Sequence, residues 1–150
     1  MPRMPRLLGS ARLLRSPGAA PCALFALAVA LAAGCGGAPV DREGTFSRLR
    51  EARSAELAPG DREALEDHNR LVESARDANL LDGMRRHEVE AALGRGDECA
   101  ARPICAQRGF NATDWVYEIG QRDGVPWGPT MVVGFDRQGI VERVYTLTRR

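Results

Sequence analysis

Lysine does not occur among the 150 residues, so all 21 basic side chains are arginine. That bias matches the codon usage of a GC-rich genome and carries no physical signal of its own. Histidine is nearly as scarce: His68 and His87 are the only two. Neither stands at diagnostic spacing from a second ligand (Asp67-His68, His87-Glu88), and both fall on polar helix positions, which argues against a metal centre or a general base. Serine is thin after residue 35. Ser47, Ser54 and Ser74 lie in stretches of helical composition, without the G-x-S-x-G context of a nucleophile. No catalytic residue, metal ligand set or cofactor is therefore expected. Long hydrophobic runs are missing too. The longest, Cys22 to Ala33, has twelve residues, whereas a hydrocarbon core of about 30 Å needs roughly 20 in a helix. There are no internal repeats.

What is present begins at the N-terminus. Met1 to Pro21 carries Arg3, Arg6, Arg12 and Arg15 and no acid. The apolar run follows and ends in Gly34-Cys35. A basic head, a short apolar stretch and a small-residue cleavage site make a secretory signal. The opening MPRMPR makes Met4 a second candidate start. LAAGC, Leu31 to Cys35, resembles the lipobox of bacterial lipoproteins, although Ala32 stands where that motif prefers Leu. The resemblance implies cleavage before Cys35, a diacylglyceryl group with palmitate-type chains on its sulfur, and acylation of the new amine. Several acyl chains give stable anchoring where one does not. The alternatives are an ordinary signal peptide cut after Ala33 or Gly34, or an uncleaved anchor. Gly36, in place of the Asp that retains lipoproteins in the inner membrane, points to the outer membrane. From Cys35 onward the chain has 17 arginines and 20 acids, a net charge of −3. Such a mixed, mildly acidic surface gives no reason to expect nucleic-acid binding.

With Cys22 in the signal and Cys35 acylated, Cys99 and Cys105 remain. In an exported protein this pair, in the stretch DECAARPIC, reads as a disulfide. Closing so short a loop would stabilise the fold by about 2.4 kcal/mol on the chain-entropy account. Free thiols are the alternative. A redox-active pair would need C-x-x-C spacing, and a metal site more ligands.

Residues 36–44 (GGAPVDREG) read as a flexible lead. Phe46 to Leu57 has helix-forming composition with a ragged apolar stripe, stopped by Pro59-Gly60. Asp61 is placed to cap a longer amphipathic helix that carries Leu65, Leu71, Val72, Ala75, Ala78 and Leu81 and ends near Asp82-Gly83. A short helix carries Val89, Ala92 and Leu93, with Gly94 set to stop it. Arg95 to Thr113 reads as loop. Beyond it the period becomes two, in WVYEIG, TMVVGF and IVERVYTLT, with a long turn QRDGVPWGP and a tight DRQG between them. Helices followed by hairpin-linked strands predict an α+β fold, with the N-terminal helices packed on one face of a three-stranded antiparallel meander. The expected organisation is a signal peptide (1–34), a lipidated tether (35–44), an N-terminal helical segment (45–81) and an α+β domain (82–150).

Gly83-Met84, Val89, Leu93-Gly94, Trp115 with Tyr117, Met131-Val132-Val133 with Phe135, and Gly139-Ile140-Val141 recur in an order that resembles the SmpA/OmlA domain. That is the family of the small lipoprotein subunit (BamE-like) of the β-barrel assembly machinery, and the likeness spans about Leu81 to Leu147. Arg85 stands where the family has a capping Thr; Asp82 is the candidate replacement. The resemblance implies a non-enzymatic, lipid-anchored outer-membrane protein whose domain faces the periplasm and binds an envelope protein. An inhibitor or sensor module of the same fold, docking on an envelope enzyme or signalling protein, is the alternative. Val89, Leu93, Met131, Val133 and Phe135 are expected in the core. Trp115 and Tyr117 share one strand face and serve either as core or as partner contacts. Trp127, in VPWGP, is the aromatic least suited to a sheet interior and the leading candidate interface anchor.

Overall fold

The computed structural model describes residues 40–150, so the expected signal peptide and the first half of the tether, Cys35 included, lie outside the described residues. Helix α1 (Arg42–Arg53) opens at Asp41, whose carboxylate accepts from the Gly44 N–H (3.0 Å) and satisfies one of the orphan donors of the first turn. This corrects the expected tether, because residues 42–44 are already helical. The helix also stops before Leu57, which is nonetheless buried: its N–H donates to the Gln121 carbonyl (2.6 Å).

Asp61 caps α2 (Arg62–Asp77) as its position predicts, accepting from Ala64 N–H at 3.0 Å. The regular helix ends at Asp77, and a turn with Asn79 at φ 51° carries Leu80 and Leu81 into the core. Helix α3 (Arg86–Leu93) is not capped by Asp82. Its first turn is held from two other sides. Glu88 Oε2 accepts from Arg85 N–H (2.6 Å), and the Gly139 carbonyl accepts from Arg86 N–H (2.8 Å). Met84 in turn accepts from Val141 N–H (2.8 Å), so the helix start is sewn to the turn that precedes the last strand.

The strands are β1 (Asp97–Glu98), β2 (Trp115–Glu118), β3 (Gln121–Arg122), β4 (Val125–Pro126), β5 (Thr130–Phe135) and β6 (Val141–Leu147). Four form an antiparallel sheet in the order β1-β2-β5-β6, while β3 and β4 make a separate two-stranded ribbon. The α+β class and the β2-β5-β6 meander agree with the sequence pattern. The count of strands does not: β1 adds an edge, and the expected long turn QRDGVPWGP contains the ribbon.

Period-two alternation divides the sheet into two faces. Trp115, Tyr117, Met131, Val133 and Phe135 point to the helices and form one cluster with Phe46, Leu49, Leu71, Val72, Leu81, Val89 and Leu93. Burial of each such large side chain is worth about 1.5–3 kcal/mol. Residues 45–81 are therefore part of the same core as the strands rather than a separate segment.

The opposite face carries Val116 and Val132, which are also buried. Their cover is the stretch expected as loop. It contains a 3-10 turn (Cys99–Ala101) and a short helix α4 (Pro103–Gln107) with Pro at the first helical position, where no N–H is needed. Cys99 and Cys105 are joined by a disulfide, and with Phe110, Val116 and Val132 they form a second small core, flanked by Ile104 and Tyr145. Helices thus lie on both faces, not on one.

Candidate functional site

Two of the three aromatic candidates belong to the interior. Trp115 is 3 % exposed and meets Phe135 edge to face at 5.1 Å. Tyr117 is fully buried, and its hydroxyl donates to the Gly94 carbonyl at 3.0 Å. Burial pushes that hydroxyl well above its ordinary pKa, with the Arg53 guanidinium over the ring (4.9 Å) opposing it. Neither ring presents a contact surface; both fasten the sheet to the helices.

Trp127 is placed differently. It follows the β3-β4 ribbon, half-buried, with its N–H donating to the Gly120 carbonyl (3.0 Å). The next residue, Gly128, lies so close to the Ile119 carbonyl that a Cβ there would collide with it. The backbone under the indole is therefore fixed. The guanidinium groups of Arg122 (3.9 Å) and Arg149 (4.3 Å) stack over the Trp127 ring. Arg149 also donates to the Trp127 carbonyl (2.7 Å), and its own backbone is clipped to α2 through Asn69, which gives one bond (2.8 Å) and receives one (3.1 Å).

Around this stack lies the open part of the outer sheet face. The disulfide-linked segment covers Val116 and Val132 but stops short of the row Glu118–Thr130–Leu147, whose members pair across β2, β5 and β6. Leu147 is 44 % exposed and Val125, at the ribbon, 60 %. A shallow cavity of about 210 Å³ is lined by Glu118, Pro126, Thr130, Leu147 and Arg149. Trp127, half-buried under its two guanidiniums, and the exposed Val125 and Leu147 are the apolar side chains of this region.

Sequence reasoning missed two features. Every aromatic ring among the described residues has an arginine over it: Phe46, Phe110, Trp115, Tyr117, Trp127, Phe135 and Tyr145. Guanidinium stacks on ring faces more readily than ammonium does, and these arginines cover the rings in a way composition alone conceals. The second is Asp114, 1 % exposed. One carboxylate oxygen accepts from Phe135 N–H (3.0 Å) and the other from Asn111 N–H (2.7 Å). Phe135 N–H faces the β2 side of β5, beyond the first paired residue of β2 at Trp115, so the Asp114 carboxylate supplies the acceptor that the ladder lacks there.

The histidines lie apart from this surface. His87 lines a groove between α1 and α3 with Arg42, Phe46, Arg50 and Glu88. His68, on α2, packs against Leu57 and Gly120, and its Nδ1 is buried without a hydrogen-bond partner. Burial lowers its pKa, opposed by the carboxylates of Asp67 and Asp61. No group of three or more His, Cys, Asp or Glu side chains converges among the described residues, and no helix there is long and apolar enough to cross a membrane. Comparison with protein-family profiles, with curated proteins and with solved structures finds no match to this chain.

Proposed function

We propose that the chain is a lipoprotein of the bacterial outer membrane, tethered through acyl chains on Cys35, whose folded body binds another envelope protein and performs no chemistry. The sequence LAAGC behind a basic head and a twelve-residue apolar run carries the reading. Support comes from the spacing: the first described helix, α1, starts at Arg42, seven residues after Cys35. At no more than about 3.6 Å per residue, the chain between them can span no more than roughly 25 Å from Cys35 to Arg42. A partner in or near the same membrane is then met at high effective concentration.

The contact surface in this reading is the region of Trp127, Val125 and Leu147, not Trp115 or Tyr117. A role in outer-membrane protein assembly or envelope integrity follows from the SmpA/OmlA-like pattern of the second half. Two measurements test the proposal. Metabolic labelling with an alkyne palmitate should mark the native chain and leave C35A unlabelled and released from the membrane fraction. A photo-crosslinking residue at position 127 should capture one discrete envelope protein, whereas the same residue at exposed Arg137 should not. Labelling of C35A as strong as the native chain, or identical products from both positions, would refute it.

A further inference from the structure

We propose that Arg122 and Arg149 form a clamp around Trp127 that takes a carboxylate side chain of the partner protein, with an apolar neighbour of that residue seated against Leu147. This rests on the protein-binding reading above and gives the contact its chemistry. The two guanidinium carbons lie 3.9 and 4.3 Å from the centre of one indole ring. They are therefore no more than about 8 Å apart, within one Debye length at physiological salt, so their charges repel. Neither is in an ion pair among the described residues. The acids of the region are engaged elsewhere or stand off. Glu118 is held by Arg102 (3.0 Å), and the Glu56 carboxylate accepts from Asp123 N–H. Asp123 itself, beside Arg122 in the turn of the ribbon, pairs with neither guanidinium. Two like charges gathered on one ring without a counter-ion are relieved by an arriving anion.

Both guanidiniums are positioned in advance. Arg122 Nε donates to the Leu57 carbonyl (3.4 Å), and Arg149 Nη1 to the Trp127 carbonyl (2.7 Å). Each uses one of its five N–H donors in this way and keeps the others. The backbone beneath is held as well, with Trp127 N–H bonded to Gly120 and the Arg149 backbone to Asn69 of α2. A planar fork fixed by one bond and a ring face loses little freedom when it takes a carboxylate.

The surroundings favour a protein side chain over other anions. The cavity of about 210 Å³ beside Arg149 is smaller than the range of about 300–1,000 Å³ that whole small-molecule ligands occupy, and suits a single side chain. Pro126 and Leu147 give it an apolar wall, and Val125 stands exposed next to Pro126. A free phosphate or a lipid headgroup would satisfy the guanidiniums and leave that wall bare. A segment with an acid beside an apolar residue matches both.

The test uses the full-length acylated protein in zwitterionic detergent, with isotopically labelled indoles so that Trp127 and Trp115 report separately by NMR. The peptide acetyl-Gly-Leu-Glu-Leu-Gly-amide should shift the Trp127 indole N–H saturably and leave buried Trp115 unmoved. The same peptide with Gln in place of Glu should bind at least about fivefold more weakly, as expected for loss of a charge-assisted pair. R122Q and R149Q should each weaken the Glu peptide about threefold and leave the Gln peptide unchanged. R137Q, at an exposed arginine of the β5-β6 turn, should change neither. Circular dichroism melts identify any variant that has lost its fold, and the Glu and Gln peptides on the native chain remain decisive in that case. Equal binding of the two peptides overturns the proposal, as does binding of neither. So does saturation of the Trp127 signal by inorganic phosphate with no response to the Glu peptide. Photo-crosslinking from position 125 keeps the two readings apart. Capture of one envelope protein, undiminished when R122Q and R149Q are combined, leaves the protein-binding reading standing and removes the clamp.

Discussion

Replacing Asp114 with Ala tests whether a single buried carboxylate holds the sheet at its irregular end. The carboxylate is 1 % exposed and bridges Phe135 N–H, at the end of β5 where β2 gives out, to Asn111 N–H in the preceding turn. Removing it strands a buried backbone donor at Phe135, which costs about 1–3 kcal/mol, and a second donor that water can reach, which costs less. The sum is about 3 kcal/mol. For a folded body of this size that lowers Tm by about 10 °C. D114N retains one acceptor oxygen and should lose about half as much. Urea unfolding followed by Trp115 fluorescence reads both, because that indole packs on Phe135 itself. A D114A loss below about 1 kcal/mol would show that this end of the sheet is held by packing alone and refute the reasoning.

Reduction of the Cys99–Cys105 disulfide, or its replacement by two serines, should cost about 2.4 kcal/mol on loop entropy. Hydrogen exchange should report the loss first at Val116 and Val132, which lie under the linked segment. His68 is easier to keep neutral in the fold than to charge, because burial lowers its pKa from 6.5. The unfolded chain therefore takes up a proton at higher pH than the folded one. Stability should hold above pH 6.5 and fall as pH drops from there through the lowered folded value. H68Q should flatten this slope in urea midpoints measured across the range, and an unchanged slope would remove His68 as its source.

Much of the fold was legible because periodicity and capping are local. Asp61 announces α2, Gly94 ends α3, and alternation places Met131, Val133 and Phe135 inside. The same alternation carries a further signal. Val116 and Val132 are apolar on the face opposite the helices, so that face required a cover, and the only uncommitted stretch was the cysteine-bearing one. Its Pro103 and disulfide then make a short helix where composition reads as loop. The cap of α3 was not legible, since its acceptor is the carbonyl of Gly139, over fifty residues away. The surface proposed for partner contact was legible only at Trp127, where two prolines and a glycine in VPWGP interrupt the strand pattern. Trp115 and Tyr117 could not be assigned by period alone, because a strand face looks the same whether a helix or a partner covers it. The arginine stacks were hidden for a similar reason: they join residues distant in sequence, such as Arg149 with Trp127.

Attachment to the membrane, as proposed, rests on the sulfur of Cys35. Intact mass spectrometry of the native protein, purified from its membrane in detergent, should give a chain that starts at Cys35, lacks residues 1–34 and carries a diacylglyceryl adduct with a further acyl group on the amine. A free thiol at Cys35, or a chain that still bears its leader, would contradict it.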